Sequence, residues 1–366
     1  MKFDQFADFE KINREIGECI DYLNGVLGHD PGKAKFVFIP RVNLILRLGS
    51  DVSLFLDVTR EYRSHRKIVT KILACSYIGL MAFFIKFRLA SYFLKVIILK
   101  APEFYPIILG GNNRLRFIDS SNSNAILIAK NNNGELFTSN AIRAYELGRL
   151  SSSGLIPDIL PLSRRMYFER QIKGLAINRC SLDTLKNNIV VRPLDAFFSQ
   201  QKALSRPISC KVFLRYKAAI LTNFARNSES GETLELVEMF NDIGKQVAQY
   251  LGSTEVDVSP SHGDLNRGNV FLNNSEISII DWEYYMYRYV DYDRVIYRND
   301  LRHKTLADYI EFFKDEMMSD FNPLLFLVEE LSFRILNYKV DVADSQIFID
   351  KISDLVMQEL LKDKIK

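Results

Sequence analysis

The chain has 366 residues, of which 48% are hydrophobic and 25% charged, and its formal net charge is +3. These proportions are typical of a soluble globular protein and exclude disorder as the main state, while the length suggests two or three modules. The near balance of charge argues against a dedicated nucleic-acid binder. The four cysteines form no CxxC pair, which argues against a zinc ribbon or a disulfide framework and fits a reducing cytoplasm.

The first hundred residues predict an accessory module at 1–100. Apolar residues at three- and four-residue steps predict an amphipathic helix over 1–30. Short runs with strand character follow at 36–39, 43–48 and 53–58, with proline and glycine between them. The N-terminus has no apolar core of a secretion signal, so we expect a cytoplasmic protein.

An apolar stretch from Ile72 to Ile85 has two interpretations. It is shorter than the roughly 20 residues that a membrane-spanning helix needs, and a buried helix is the favoured interpretation. The alternative is a helix on a membrane surface, where nearby basic side chains contact anionic lipids. These basic residues are Lys71, Lys86, Arg88, Lys95 and Lys100. A peripheral contact with the inner face of the membrane through residues 60–100 therefore stays open.

A three-stranded meander is predicted at the start of the next region, residues 101–173. Its strands are 105–109, 114–118 and 125–130, and the first two are joined by the turn Gly110-Gly111-Asn112-Asn113. A helix over 139–150 and a strand over 166–172 follow.

The segment from Ser261 to Asp293 carries the chemistry of the last region, residues 174–366. Asp264 and Asn269 lie five residues apart on a loop, since glycines next to both break any helix. Two strands, 270–272 and 277–280, then form a hairpin. A hairpin returns its far end to its start, so we expect Asp281 beside Asn269 and close to Asp264.

Two carboxylates and one amide would thus meet, with a third carboxylate, Glu283, two residues further on. Oxygen ligands of this kind suit Mg²⁺, which completes its shell with phosphate and water. Phosphoryl transfer needs such a set, together with a group that orients the attacking hydroxyl and a cation for the nucleotide phosphates.

The motif HGDLNRGN, followed by IIDWEYY, resembles the catalytic segment of the aminoglycoside phosphotransferase and choline kinase superfamily. This resemblance implies an α+β, two-lobed protein-kinase-like fold, with a small antiparallel-sheet lobe at 101–173 and a mostly helical lobe at 174–366. The module at 1–100 would be an α/β addition. The implied activity is ATP- and Mg²⁺-dependent phosphorylation of a hydroxyl group on a sugar, amino-alcohol or aminoglycoside-like molecule, with no nucleic-acid partner.

The resemblance also implies roles for single residues. Asp264 would be the catalytic base, His262 would brace its loop, and Asn269 and Asp281 would bind Mg²⁺. The nucleotide phosphates would contact Lys130, Gly110, Gly111 and Asn112. Glu146 would pair with Lys130, unless Arg143 takes that place. The strand that contains Glu169 and Gln171 would face adenine with its backbone, and the acceptor side would contain Glu283, Asp291 and Asp293.

Two other functions remain open at this stage. One is a non-catalytic binding or scaffold protein on the kinase fold, supported only by the uncertain partner of Lys130. The other is a metal-dependent glycosyltransferase that uses Asp291 and Asp293, a pair of aspartates that arises easily by chance.

Overall fold

The computed structural model describes the following residues: 9–28, 30–64, 68–111, 113–121, 123–147, 155–180, 188–227, 231–273, 276–303, 322–337, 350 and 352–353. The chain divides into two compact units. We call Met1–Leu194 with Arg267–Glu283 the sheet unit, and Asp195–Asn266 with Tyr284–Lys366 the helical unit. The predicted boundaries lie after residues 100 and 173. The observed division instead places the first hundred residues in the same unit as the predicted small lobe, together with residues 267–283.

The sheet unit is built on an eight-stranded antiparallel sheet with the order β3-β1-β2-β4-β5-β6-β8-β7. Its strands are β1 (Ala34–Ile39), β2 (Leu44–Arg47), β3 (Val96–Leu99), β4 (Ile107–Gly110), β5 (Arg114–Ile118), β6 (Asn124–Ala129), β7 (Ile159–Ser163) and β8 (Met166–Arg170). Because β2 pairs directly with β4, with Leu44 opposite Leu109, the strands of the first hundred residues extend the sheet of the predicted small lobe. They form one layer with it.

Five helices accompany this sheet among the described residues. They are α1 (Phe9–Leu27), α2 (Val52–Val58), α3 (Ile68–Lys86), α4 (Ala90–Phe93) and α5 (Asn132–Glu146). Helix α1 buries Ile16, Ile20 and Leu23 in a cluster with Phe117 and Ile128 of the central strands. Since side chains alternate along a strand, the residues between these cluster members belong to the opposite face of the sheet.

Capping explains two differences from the predicted elements. Residues 53–58, predicted as a strand, form helix α2, because the Asp51 side chain accepts a hydrogen bond from the Ser53 N–H and caps the first turn. Helix α5 begins at Asn132 instead of residue 139, because the Asn131 side chain accepts from the Gly134 N–H. Both caps are short polar residues that also favour turns.

The predicted hairpin is present as β12 (Val270–Asn273) and β13 (Glu276–Ile279). It pairs with the short strand β9 (Leu175–Ala176) in the order β13-β12-β9. This pairing joins the hairpin to the sheet unit, although the hairpin lies far along the chain.

The helical unit has a three-stranded antiparallel sheet and a core of packed helices. The strands are β10 (Arg206–Ser209), β11 (Glu255–Ser261) and β14 (Met286–Tyr289), in that order. The helices are α6 (Asn188–Ala203, in this unit from Asp195), α7 (Cys210–Arg226), α8 (Gly231–Leu251), α9 (Tyr292–Arg298) and α10 (Pro323–Leu336). The prediction of an α+β chain, with an antiparallel sheet in its first part and a mostly helical second part, is confirmed.

Candidate active site

The loop that carries Asp264 belongs to the helical unit. Strand β11 ends at Ser261, and the His262 side chain that follows is fully buried. Gly263 has a φ of 87°, and a Cβ there would lie 2.5 Å from the Tyr284 carbonyl oxygen and 2.7 Å from the Arg288 guanidinium. Only glycine fits this position, so the sharp turn before Asp264 is fixed by the sequence.

Asp293 fixes the backbone of this loop. Its carboxylate is buried and accepts hydrogen bonds from the N–H of His262 at 2.6 Å, the N–H of Gly263 at 2.9 Å and the Gln201 side-chain amide at 2.7 Å. Both of its oxygens are engaged, so the structure corrects the interpretations that gave Asp293 to the substrate or to a glycosyltransferase metal site. Asp291, the other member of that pair, lies 3.0 Å from the Arg294 side chain.

Arg302 holds the Asp264 side chain itself. Its Nε atom lies 2.8 Å from Asp264 Oδ1, and its Nη2 atom donates to the Gly263 carbonyl at 2.5 Å. The buried Glu330 accepts from Arg302 Nη1 at 2.6 Å. Burial would raise the pKa of Glu330, but Arg302 and Arg334 outweigh it and lower that pKa. Arg302 is therefore a fixed cation that orients the Asp264 carboxylate, and no motif in the sequence indicated it.

The ends of the hairpin lie in the sheet unit. The Ile280 N–H donates to the Asn269 carbonyl at 2.9 Å, so Asp281 follows directly after the residue paired with Asn269. Asp281 has a φ of 68°, a left-handed conformation that aspartate tolerates better than most residues. The hairpin thus brings the two predicted metal ligands to one end of the ribbon.

Arg114 of β5 is the cation that meets Asp281. Its Nη2 atom lies 2.8 Å from Asp281 Oδ1 and 3.1 Å from Glu283 Oε2, and its Nη1 atom donates to the Tyr167 hydroxyl. Burial would lower the pKa of Arg114, but the Tyr167 oxygen and the two carboxylates raise it above its usual value. Arg114 is therefore permanently charged at this site.

Lys130 lies on the opposite face of the sheet, which corrects its predicted contact with phosphate. It continues the alternation of Ile126 and Ile128, both in the cluster beneath α1, and its Nζ atom lies 3.3 Å from Glu15 Oε2 of that helix. The lysine is out of phase with the face that carries Arg114. The opposite face of the same sheet carries another cation, Arg114 of β5.

The predicted turn borders a cleft of about 330 Å³ in the sheet unit. The Gly111 N–H donates to the Arg114 carbonyl, and a Cβ at Gly111 would lie 2.8 Å from that oxygen. The Asn43 side chain donates to the Gly110 carbonyl at 2.6 Å, so the first hundred residues support this turn. The lining includes Asn43, Gly110, Gly111, Arg114, Arg116, Asp281 and Glu283. The prediction for Asn112 lies outside the described residues.

The remaining predicted residues have other contacts. Glu146 is exposed at the last residue of α5, and the ion pair of Lys130 is made with Glu15 instead. Glu169 is buried and pairs with Arg116 at 2.9 Å. The Gln171 N–H donates to the Ser123 carbonyl.

The oxygen atoms of Asn269 and Asp281 are the candidate ligands of a metal ion. Among the described residues, no three His, Cys, Asp or Glu side chains cluster as a metal site. Mg²⁺ needs only one or two protein carboxylates when phosphate oxygens and water complete its shell, so the pair of Asn269 and Asp281 fits this ion. In the structure, Asp281 Oδ1 forms an ion pair with Arg114.

Comparisons with known proteins gave a family match and matches to solved structures. No curated protein sequence matches it. An ADP-bound aminoglycoside phosphotransferase, APH(2'')-Ib, is 16% identical, with 68% of this chain and 90% of that chain covered and a TM-score of 0.38. A choline/ethanolamine kinase family protein from Mesorhizobium loti is 15% identical, with 69% and 86% covered and a TM-score of 0.36.

The family comparison is more informative. Residues 213–316 match the model of the phosphotransferase enzyme family. This range contains the catalytic motif, the hairpin and the IIDWE segment. The match confirms the resemblance that the motif indicated: the segment that carries Asp264, Asn269 and Asp281 is similar to that of the phosphotransferase enzyme family.

Proposed function

We propose that this chain is an ATP- and Mg²⁺-dependent kinase that transfers the γ-phosphoryl group to a hydroxyl group of a small molecule. The observation that carries the proposal is the loop of Asp264, whose carboxylate lies 2.8 Å from the buried Arg302 side chain. Arg302 and Asp293 hold this loop from two sides, as a base that must meet one hydroxyl group requires.

In the proposed reaction, Asp264 accepts the proton of the acceptor hydroxyl. The acceptor oxygen forms a bond to the γ-phosphorus, the bond to the bridging oxygen breaks, and ADP leaves with its electron pair. Asp264 precedes Asn269 by five residues, a separation that the chain spans in at most about 18 Å. The sequence alone thus limits the separation between the proposed base and one proposed metal ligand, Asn269.

Asn269 and Asp281 would hold Mg²⁺, which supplies charge neutralisation of the phosphates when bound. Arg114 would contact the phosphates in the role that the resemblance gave to Lys130. Its planar guanidinium carries several donors that suit phosphate oxygens. In the free protein Arg114 pairs with Asp281 and Glu283. We propose that the nucleotide phosphates bind the Arg114 guanidinium in place of Asp281, so that the Asp281 carboxylate becomes available to the metal ion.

The candidate acceptors are sugars, amino-alcohols and aminoglycosides. The most direct test is a screen of these acceptors for ADP release from ATP and Mg²⁺, with Asp264→Ala protein as the blank. Acceptor-dependent ADP release that is absent from the blank supports the proposal. ADP release at the same rate from both proteins would reject the role of Asp264.

A second candidate, a non-catalytic binding protein on the same fold, is favoured by one observation. The Arg114 guanidinium already neutralises Asp281, as an internal substitute for a metal ion would. The two candidates predict opposite effects of Arg114→Met. Loss of ATP binding supports the kinase, because the phosphates lose their cation. A gain in ATP binding supports the binding protein, because Arg114 no longer occupies Asp281 in place of a metal ion.

A further inference from the structure

Helix α3 and the residues after it expose an unusual amount of apolar surface. Leu73, Leu80 and Phe83 recur at steps of seven and three along one side of the helix, and Phe87 follows directly after its end. Each of these side chains is about half exposed or more. Further exposed apolar side chains are Ile68, Val69, Ile72, Tyr92, Phe93 and Ile98. A contiguous apolar surface of this kind marks an interaction site. We call this set the α3 patch.

The charged residues of α3 and of the residues after it, up to Lys100, are all basic. Between Glu61 and Glu103 the sequence contains no aspartate or glutamate. The basic side chains of this stretch that the structure describes as exposed are Lys71, Lys86, Arg88, Lys95 and Lys100. A second copy of the same chain would bring these cations together, whereas an anionic lipid surface would neutralise them.

The other side of α3 packs on the protein. Ile78 and Met81 are buried, and the Arg41 guanidinium lies 5.3 Å from the Tyr77 ring centroid. The helix also contacts α2 and the 3₁₀ helix Glu61–Arg63. Residues Ile68–Lys86 are long and apolar enough to cross a membrane, but a spanning helix would bring these charged neighbours into the hydrocarbon, where they are costly. Contact along the length of the helix fits a position parallel to the membrane surface.

We infer that the α3 patch binds the surface of an anionic lipid bilayer. The apolar side chains would enter the boundary between head groups and acyl chains, and the surrounding lysine and arginine side chains would contact lipid phosphates. The inference does not depend on the kinase activity, because its readout is vesicle binding by the whole protein.

The experiment is flotation of the full chain with neutral phosphatidylcholine vesicles and with vesicles that also contain phosphatidylglycerol. We expect binding to the anionic vesicles, with loss at high salt, and at least tenfold weaker binding to neutral ones. Equal binding to both vesicle types, or none to either, would overturn the inference. Resistance to alkaline extraction would indicate a spanning helix and would also overturn it.

Matched variants locate the binding surface. Leu73→Asp with Leu80→Asp places two charges in the α3 patch and should weaken binding more than about tenfold, since burial of both leucines is lost. The control is Leu160→Asp with Leu234→Asp, because these leucines are also exposed, at 60% and 49% against 64% and 50%. All four are exposed, so circular dichroism should report folded proteins. An equal loss in both double variants, or a dimer that dissociates only in the first, would contradict the assignment.

Discussion

The loop around Asp264 and the sheet face around Asp281 both hold a carboxylate beside an arginine, but they do so in different ways. In the loop, the carboxylate that carries the chemistry is held by partners from its own unit, with Arg302 on the side chain and Asp293 on the backbone. On the sheet face, the carboxylate is held by Arg114, a cation that the proposed reaction must also use. The loop is therefore preorganised, whereas in the proposed reaction the sheet face would have to exchange ion pairs before it could bind nucleotide and metal.

Loss of the base gives the largest expected effect. Asp264→Asn keeps the size of the side chain but cannot accept a proton, so turnover should fall about 10²- to 10⁴-fold. Thermal shift with ATP and Mg²⁺ should still report binding, because the nucleotide contacts are elsewhere. A variant with unchanged turnover, or one that loses both turnover and nucleotide binding, would break the distinction between the two regions.

The backbone anchor of the loop comes next. Asp293→Asn removes a buried charge that accepts three hydrogen bonds and should lower the free energy of unfolding by roughly 2–4 kcal/mol, with a matching fall in kcat. Chemical denaturation measures the first quantity and steady-state kinetics the second.

Asp291→Asn is the matched control, because Asp291 has a left-handed φ of 67° that asparagine tolerates and a short-range ion pair with Arg294. We expect a change below about 1 kcal/mol. Equal losses in the two variants would mean that Asp293 acts as an ordinary polar residue.

A buried cluster of the helical unit allows a pH test with a smaller effect. Lys217 lies 2.6 Å from Glu329, which also accepts from Arg288, and all three side chains are buried. One carboxylate cannot neutralise two cations. Burial lowers the pKa of Lys217 to about 7, while Glu329 opposes this shift and Arg288 adds to it.

Because the unfolded chain binds this proton up to a pH of about 10.5, the cost of burying Lys217 is largest at and below pH 7 and fades as the pH rises towards 10.5. Lys217→Met should therefore raise Tm, by the equivalent of about 1–3 kcal/mol below pH 7 and by little near pH 10. Thermal unfolding across this range measures the difference. Lys245→Met, which removes an exposed pair with Asp242, should change Tm little at any pH. A less stable Lys217 variant at every pH would show that the ion pair outweighs the burial.

The sequence predicted the parts of the site that depend on short-range order. The turn at Gly263 and the hairpin that ends at Asp281 are set by residues within the segment itself, so the motif was sufficient. The partners Arg302 and Arg114 come from distant parts of the chain, and no spacing rule connects them with the motif. Lys130 was assigned from its strand alone, although a shift of one residue along a strand changes the face of the sheet.

The first hundred residues show the same limit for the fold. Their strands were predicted, but pairing of β2 with β4 is a long-range choice that local patterns do not encode. Residues 53–58 were assigned to a strand from their apolar content, and the Asp51 cap made them a helix. The apolar helix was predicted, but the favoured interpretation was a buried helix, whereas one of its sides is exposed in the structure.

The most direct test of the central claim is a titration of ATP with Mg²⁺ into Arg114→Met and Lys130→Met proteins. Each variant removes one cation and retains a long apolar side chain. If Arg114 is the phosphate-binding cation, its variant should bind ATP about ten- to a hundredfold more weakly, as expected for loss of charged hydrogen bonds, and Lys130→Met should bind within about twofold of the unmodified protein. Weaker binding confined to Lys130→Met, or tighter binding by Arg114→Met, would contradict the account.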